Sequence, residues 1–401
     1  MKNADNVPAA PRGLVPIIAL MSMIGPFTID TYLPSFADIS AEFGVGLGAT
    51  AQTMSVYLAA FAVTTLMWGP LADAFGRRRV VLGAMALYIV ASAGCALAQD
   101  LGQLLLLRLL QGVASSGGIV IARAVIRDVY DGAHARRAMA QVMMMFAVAP
   151  AIAPIIGGWL HDWWGWRSVF VFLALYGVAV AVLVLRILPE THPPGLRQSI
   201  HPRSVATNYR AALTHGRFLA LVLSFCFGFG GLFVYIAGSP AVIFDHLGLG
   251  ANHFAVQFVP MVAGVMAGSW LAGRLSARAR PGTTVSVAFA MAALAVLLNF
   301  AQAAWLPPRI VTVIAPIVLY AFAIALMMPN LTVMALDCFP RNRGMASAVQ
   351  AFLQMGNNAL VAGLAVPFVA PSLSRFALVQ AGFLALAVLM WRLARTQPAA
   401  A

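Results

Sequence analysis

The chain has 401 residues, 62% of them hydrophobic and 9% charged, with 25 Lys and Arg against 12 Asp and Glu for a net charge of +13. Soluble globular chains carry roughly 25% charged residues, so no water-surrounded core would absorb this much apolar surface. The basic residues stand in short gaps between apolar runs and not on one face of a polar domain, which argues against nucleic acid as a partner.

Twelve apolar stretches follow one another at 14–36, 50–71, 79–98, 101–123, 137–160, 166–187, 217–239, 252–274, 282–302, 309–332, 343–366 and 373–393. Each is close to the roughly 20 residues that a helix rising about 1.5 Å per residue needs to cross about 30 Å of hydrocarbon. Their continuous apolarity excludes the alternating strands of a barrel wall. Lys2, Arg12, the Arg77 to Arg79 run, Arg127, Arg136, Arg137, Arg186, Arg197, Arg341 and Arg343 fall in gaps on one side, whereas the other side has only Arg167, Arg309 and Arg375. Short cytoplasmic loops accumulate Lys and Arg, so both termini are expected in the cytoplasm. The first run follows Lys2 and Arg12, but it contains Asp30 and lacks a small-residue cleavage site, and is read as a permanent span and not a cleaved leader. Cys95, Cys226 and Cys338 are far apart, without metal-ligand spacing, and read as packing residues.

Between spans six and seven, Glu190 to Gly216 is the only long polar stretch and holds Pro193, Pro194 and Pro202. It divides the chain into an N-terminal six-helix bundle at 1–189, a cytoplasmic linker at 190–216 and a C-terminal six-helix bundle at 217–401. The halves echo each other: the stretch from Asp30 to Pro34 matches that from Ile236 to Pro240, and Arg137-Ala-Met-Ala matches Arg343-Gly-Met-Ala at the same offset. Parallel six-helix repeats are the plan of a two-bundle transporter whose substrate site lies near the midplane.

The loop after span two reads GPLADAFGRRR at 69–79. With Gly69, Leu71, Ala72, Asp73, Gly76, Arg77 and Arg78 in place, it resembles the loop signature of the major facilitator superfamily. Glycine permits a tight turn there. Asp73 suits exposed helix amides or a basic partner such as Arg127, so the motif, with Arg127 and Asp128, reads as a cytoplasmic gate. Span five holds Pro150, Pro154, Gly157 and Gly158, which resembles the antiporter motif of drug-exporting members, with Ala149 where those have glycine. The prolines each remove a helix hydrogen bond, and the glycine pair lets another backbone approach. Asp30, Tyr32, Pro34, Arg108, Gln111, Gly112 and the stretch from Ile121 to Asp128 narrow the resemblance to the bicyclomycin/chloramphenicol-resistance branch of drug/proton antiporters. The resemblance covers the first half well and the second mainly in span pattern. It implies an all-α membrane protein of the major facilitator fold, twelve transmembrane helices in two bundles, in the inner membrane of a bacterium.

Helix rise puts Asp30 about 24 Å from the cytoplasmic edge of span one and Arg108 about 10 Å from the opposite edge of span four, so their depths agree. Burial disfavours a charged carboxylate and a nearby guanidinium favours it, and opposed effects that vary with bundle position are what proton coupling needs. Arg123, about 22 Å further along its helix than Arg108, is expected beside Arg127 and Asp128 in the gate. Tyr32, Gln111, Met144, Gln350, Gln354 and Asn357 are the substrate-cavity candidates, since adaptable methionine and inward amides suit varied ligands. The function expected is proton-driven export of small amphipathic compounds by alternating access, with protons and the lipid bilayer as partners, by a monomer that is no enzyme and needs no cofactor or metal. The alternatives are a transporter of one natural metabolite on the same fold, or a membrane protein that does not transport.

Overall fold

The computed structural model describes residues 13–192, 202–276, 278–340 and 342–397. Lys2, Arg12, Arg197, Arg341 and the 193–201 part of the linker therefore lie outside the described residues. The first half is built from α1 (Leu14–Asp30), a short α2 (Phe36–Glu42), α3 (Leu47–Phe75), α4 (Arg77–Leu97), α5 (Leu101–Val129), α6 (Gly132–Trp164) and α7 (Trp166–Ile187). A linker helix, α8 (Pro202–Thr214), precedes α9 (Gly216–Ala237), α10 (Ala255–Leu275), α11 (Pro281–Trp305), α12 (Ile310–Leu336), α13 (Arg343–Leu360), α14 (Val366–Val369) and α15 (Leu373–Thr396). Among the described residues, twelve helices or helix pairs are long and apolar enough to cross a membrane. Helix is the outcome that physics demands, because lipid offers backbone amides no partners and a helix satisfies them internally.

Several boundaries differ from the sequence reading for identifiable reasons. Span one does not run unbroken to 36: α1 stops at Asp30, the chain turns through Leu33–Ser35, and α2 carries the span on to Glu42. Pro34 has no N–H to continue the ladder, and the Ser35 amide turns back to the Tyr32 carbonyl at 3.1 Å. The matching point of the second half breaks as well, with α9 ending at Ala237 ahead of Pro240 and a widened turn at Ala241–His246. Arg343 opens α13, but α6 starts five residues before Arg137, at Gly132.

The two halves pack alike. In the first, α3 lies on α5, α4 on α5 and α7, and α1 on α6; in the second, α10 lies on α12, α11 on α12 and α15, and α9 on α13. The ends of α3, α5, α7, α10, α12 and α15 share one side with α8, and this is the arginine-rich face. Contacts between the halves run along α3 with α13 and along α6 with α10. They gather toward the other face: Gln52 donates to the Gly363 carbonyl at 2.7 Å, Ser55 donates to the Ala359 carbonyl at 2.8 Å, and Asn252 donates to Asp162.

The polar stretch before α9 contains a helix because Tyr209 gives it an anchor. Pro70, inside α3, lacks the N–H that the carbonyl of Leu66 would otherwise receive, and the Tyr209 hydroxyl donates to that carbonyl at 2.8 Å. Burial pushes the Tyr209 phenol up from its ordinary range, so it stays protonated and donating at neutral pH. α8 packs on α13 and α9 as well and so bridges both halves.

Candidate functional site

The interior of the first half is organised around Arg108, which is wholly buried. Its helix is fixed at the start by Asp100, whose side chain accepts from the Gln103 amide at 2.8 Å. The Nη1 group of Arg108 donates to Gln111 Oε1 at 2.6 Å and to the Thr28 carbonyl at 3.4 Å. Its guanidinium lies 4.7 Å from the centre of the Tyr32 ring and 4.6 Å from that of Tyr57. A desolvated cation over aromatic faces gains about 2 kcal/mol per ring at best, so the rings replace part of the lost hydration. Tyr32 is itself held by a 2.6 Å hydroxyl bond to Thr53, and Gln111 by donation to Ser92 at 2.8 Å, whereas the buried Tyr57 hydroxyl has no hydrogen-bond partner among the described residues. Thr28 meets the Tyr88 hydroxyl at 2.7 Å. Nε and Nη2 of Arg108 have no acceptor among the described residues.

Asp30 is buried as the last residue of α1, between Thr28 and Tyr32, both of which touch Arg108. Among the described residues the two make no ion pair: the guanidinium turns to carbonyl, amide and rings instead. Tyr32 and Gln111, expected in a substrate cavity, are fully buried and serve to hold Arg108. Tyr57, Thr28, Thr53 and Ser92 escaped the sequence reading. Their signal was hydroxyl-bearing residues within apolar spans, which does not say which residues face one another.

The antiporter motif meets this site at its edge. A Cβ at Gly157 would collide with the backbone of Thr31, the residue after Asp30, and one at Gly158 would fall 2.6 Å from the Ala251 carbonyl of the other half. α6 thus touches the joint at the end of α1 and the second bundle with neighbouring residues. Pro150 and Pro154 lie within α6 on the way to that contact. Met144 is exposed, and it stands eighteen residues before Asp162, which is five turns at about 3.6 residues each, so it shares the face that meets Asn252.

The loop motif forms a compact ionic knot. Gly76 has φ +96°, ending α3 and starting α4 in one residue. Arg77 pairs with Asp73 at 2.6 Å and with Asp128 at 3.1 Å, and its amide donates to Glu190 Oε1 at 2.8 Å. Arg78 donates to the Leu185 carbonyl, while at Gly69 a Cβ would meet Val120 only at an ordinary contact distance, so that glycine is not required by packing there. The expected pairing of Asp73 with Arg127 gives way to Arg77, four residues on along the turn, where no long side chain need reach across. Arg127 donates to the Arg123 carbonyl and lies beside Gly344 at the start of α13, so of the motif set it is the member that faces the second half.

On α13, Gln350 donates to Thr332 at 3.0 Å and Asn357 to the Cys226 carbonyl at 3.0 Å, which ties this helix to α12 and α9. Gln354 is half-buried between them. These amides link helices within the second half, with Gln350 Oε1 left over.

The comparisons with known proteins agree with this architecture. The chain is 29% identical over 370 residues to multidrug resistance protein D of Escherichia coli (strain K12), covering 91% of this chain and 90% of that one. It is 28% identical over 278 residues to a bicyclomycin resistance protein homolog of Haemophilus influenzae, covering 68% and 69%. Its fold matches the crystal structure of a D-xylose-proton symporter with a TM-score of 0.75 over 95% of this chain and 97% of that one, at 15% identity. The signature of the Major Facilitator Superfamily matches residues 18–362, and with twelve membrane-length helices in two like-packed bundles behind it, this chain belongs to that superfamily.

Proposed function

We propose that the protein exports small amphipathic compounds, drugs among them, in exchange for protons, as a monomer in the inner membrane of a bacterium with both termini in the cytoplasm. Its halves, 1–189 and 217–401 joined by the linker at 190–216, rock about the midplane so that a central cavity opens to one side at a time. The arginine-rich face is cytoplasmic by the excess of arginine, and the bonds between the halves gather at the far side, so this state takes up substrate from within. The relatives' names, which speak of multidrug and bicyclomycin resistance, support export of drugs.

One observation carries the coupling: the buried carboxyl of Asp30 sits next to the joint where Gly157 meets Thr31, and Gly158 of the same helix rests on the other bundle. A carboxylate out of water without a partner costs several kcal/mol, so its proton is held until its surroundings change. Rocking acts through α6 on that joint, and moving the carboxyl relative to Arg108, whose Nε and Nη2 are open, alters which protonation state is favoured. Substrate then leaves on one stroke and a proton enters on the other. The gate knot at Arg77 braces α3, α4 and α5 while the cytoplasmic mouth changes shape.

Movement of radiolabelled chloramphenicol, a neutral amphipathic compound, in proteoliposomes under an imposed pH gradient tests the reading. The Asp30→Asn variant is expected to lose gradient-driven transport while still exchanging the compound down its own gradient. Transport by that variant equal to the parent's would remove Asp30 from coupling.

A further inference from the structure

On the arginine-rich side, a shallow groove of about 20 Å³ lies between α1, α5 and α6. Its wall is apolar, with Ile119, Met139, Met143 and Phe146 prominent, Ser22 as its hydroxyl and Arg123 as its one ionisable group. The sequence places Arg123 in the gate network, but the gate closes without it. Arg77 takes Asp73 and Asp128, and Arg343 takes Asp337 at 2.8 Å. Among the described residues the exposed guanidinium of Arg123 has neither an ion pair nor a hydrogen bond; only its carbonyl is used, by Arg127.

A second cation lies along the same helix. Arg108 is fifteen residues earlier, about four turns and 60° round, on a surface that likewise faces α1, and it keeps buried N–H groups without acceptors, whereas Arg123 is exposed. An unmatched cation above an apolar wall, with the nearby carboxylates already engaged, suits a molecule with an anionic head and a greasy body. It repels a cation of the same shape.

We propose that this groove is the entry subsite for substrates bearing one anionic head, a carboxylate, sulfonate or phenolate, with the head on Arg123 and the body on the isoleucine, methionine and phenylalanine wall. The assignment rests on the reading of the protein as a transporter loaded from this face, and it narrows the substrates to acids and neutral compounds over cations. Anionic lipid headgroups share the chemistry, and the test separates the two sources.

The experiment measures binding of the anionic dye dichlorofluorescein and of cationic ethidium, by fluorescence anisotropy, to the full chain in phosphatidylcholine nanodiscs, with empty discs subtracted. Dichlorofluorescein is expected to bind more tightly than ethidium. Arg123→Gln should weaken the anionic dye about tenfold, the scale of one charge-assisted hydrogen bond, and leave ethidium unchanged or tighter. Arg123→Lys should keep most of the anion affinity, which a variant that merely misfolds would not. The proposal is overturned if dichlorofluorescein binds no better than to empty discs, if Arg123→Gln leaves its affinity intact, or if both dyes weaken alike. Loss of dye binding when phosphatidylglycerol is added would give the groove to lipid and also overturn it. Arg123-dependent binding without pH-driven movement of the dye in proteoliposomes would instead sink the transport reading and leave the subsite standing.

Discussion

Replacing Gly157 by alanine adds one carbon where α6 crosses the end of α1. That carbon would lie 2.8 Å from the carbonyl carbon of Thr31 and 3.0 Å from its Cα, while ordinary contact begins near 3.4 Å, and its nearest neighbour is the Thr31 carbonyl oxygen itself. All three obstacles are backbone, so no rotamer relieves them, and α6 must back away from the joint by an ångström or more. Overpacking of this kind costs about 1–3 kcal/mol. A penalty of that size corresponds to about a 5- to 150-fold change in the balance between two bundle positions, and it falls on the state described here, in which the next residue, Gly158, rests on Ala251 of the other half. Two measurements report it: the Tm of the purified protein, and labelling of a cysteine placed at Ser55, whose hydroxyl meets Ala359 across the closed side, by a membrane-impermeant maleimide. Gly157→Ala is expected to lower the Tm by several degrees and to speed labelling at least fivefold. If both are unchanged, the close approach of α6 to Thr31 does not hold the closed side together.

Two further outcomes follow from the arginine-rich face. Gly76→Ala forces a side chain into a φ of +96°, which costs about 1–3 kcal/mol, and should lower the Tm and loosen the Arg77 pairs, read as faster amide exchange at the start of α4. Tyr209→Phe removes the donor to Leu66, worth about 1 kcal/mol, and should raise exchange across α8 with little change in overall Tm; protection of α8 equal to the parent's would show that the linker helix is held by its packing on α13 alone.

The spans were legible because bilayer thickness sets both the length and the composition of a crossing, and no other force in the chain competes with it. The level of Arg108 along α1 was legible too: it meets Thr28 and Tyr32, on either side of Asp30. What faces what was not. The partners of Arg108 come from α1, α3 and α5, and a run of apolar residues says nothing about rotation around a helix axis. The ion pairs of the gate loop were misassigned because Asp73 has a choice of arginines nearby, and a pairing one turn away orders fewer side-chain bonds than a reach to Arg127. Arg123 was grouped by nearness along the chain, whereas the helix carries it onto the wall between α1 and α6. The linker helix was hidden by polar composition, since its main fixed point is a carbonyl on another helix.

That carbonyl, freed on α3 by Pro70 and claimed by Tyr209, makes the connector more than a length of string. If the protein were produced as two separate polypeptides, a cut ahead of α8 would leave the mooring on the second piece and let it find the first, whereas a cut after α8 would make the mooring internal to the first piece and leave only the packing of α8 on α9 and α13 to join the two. Reassembly of split halves should therefore depend on where the chain is severed and not only on whether each set of six crossings is intact.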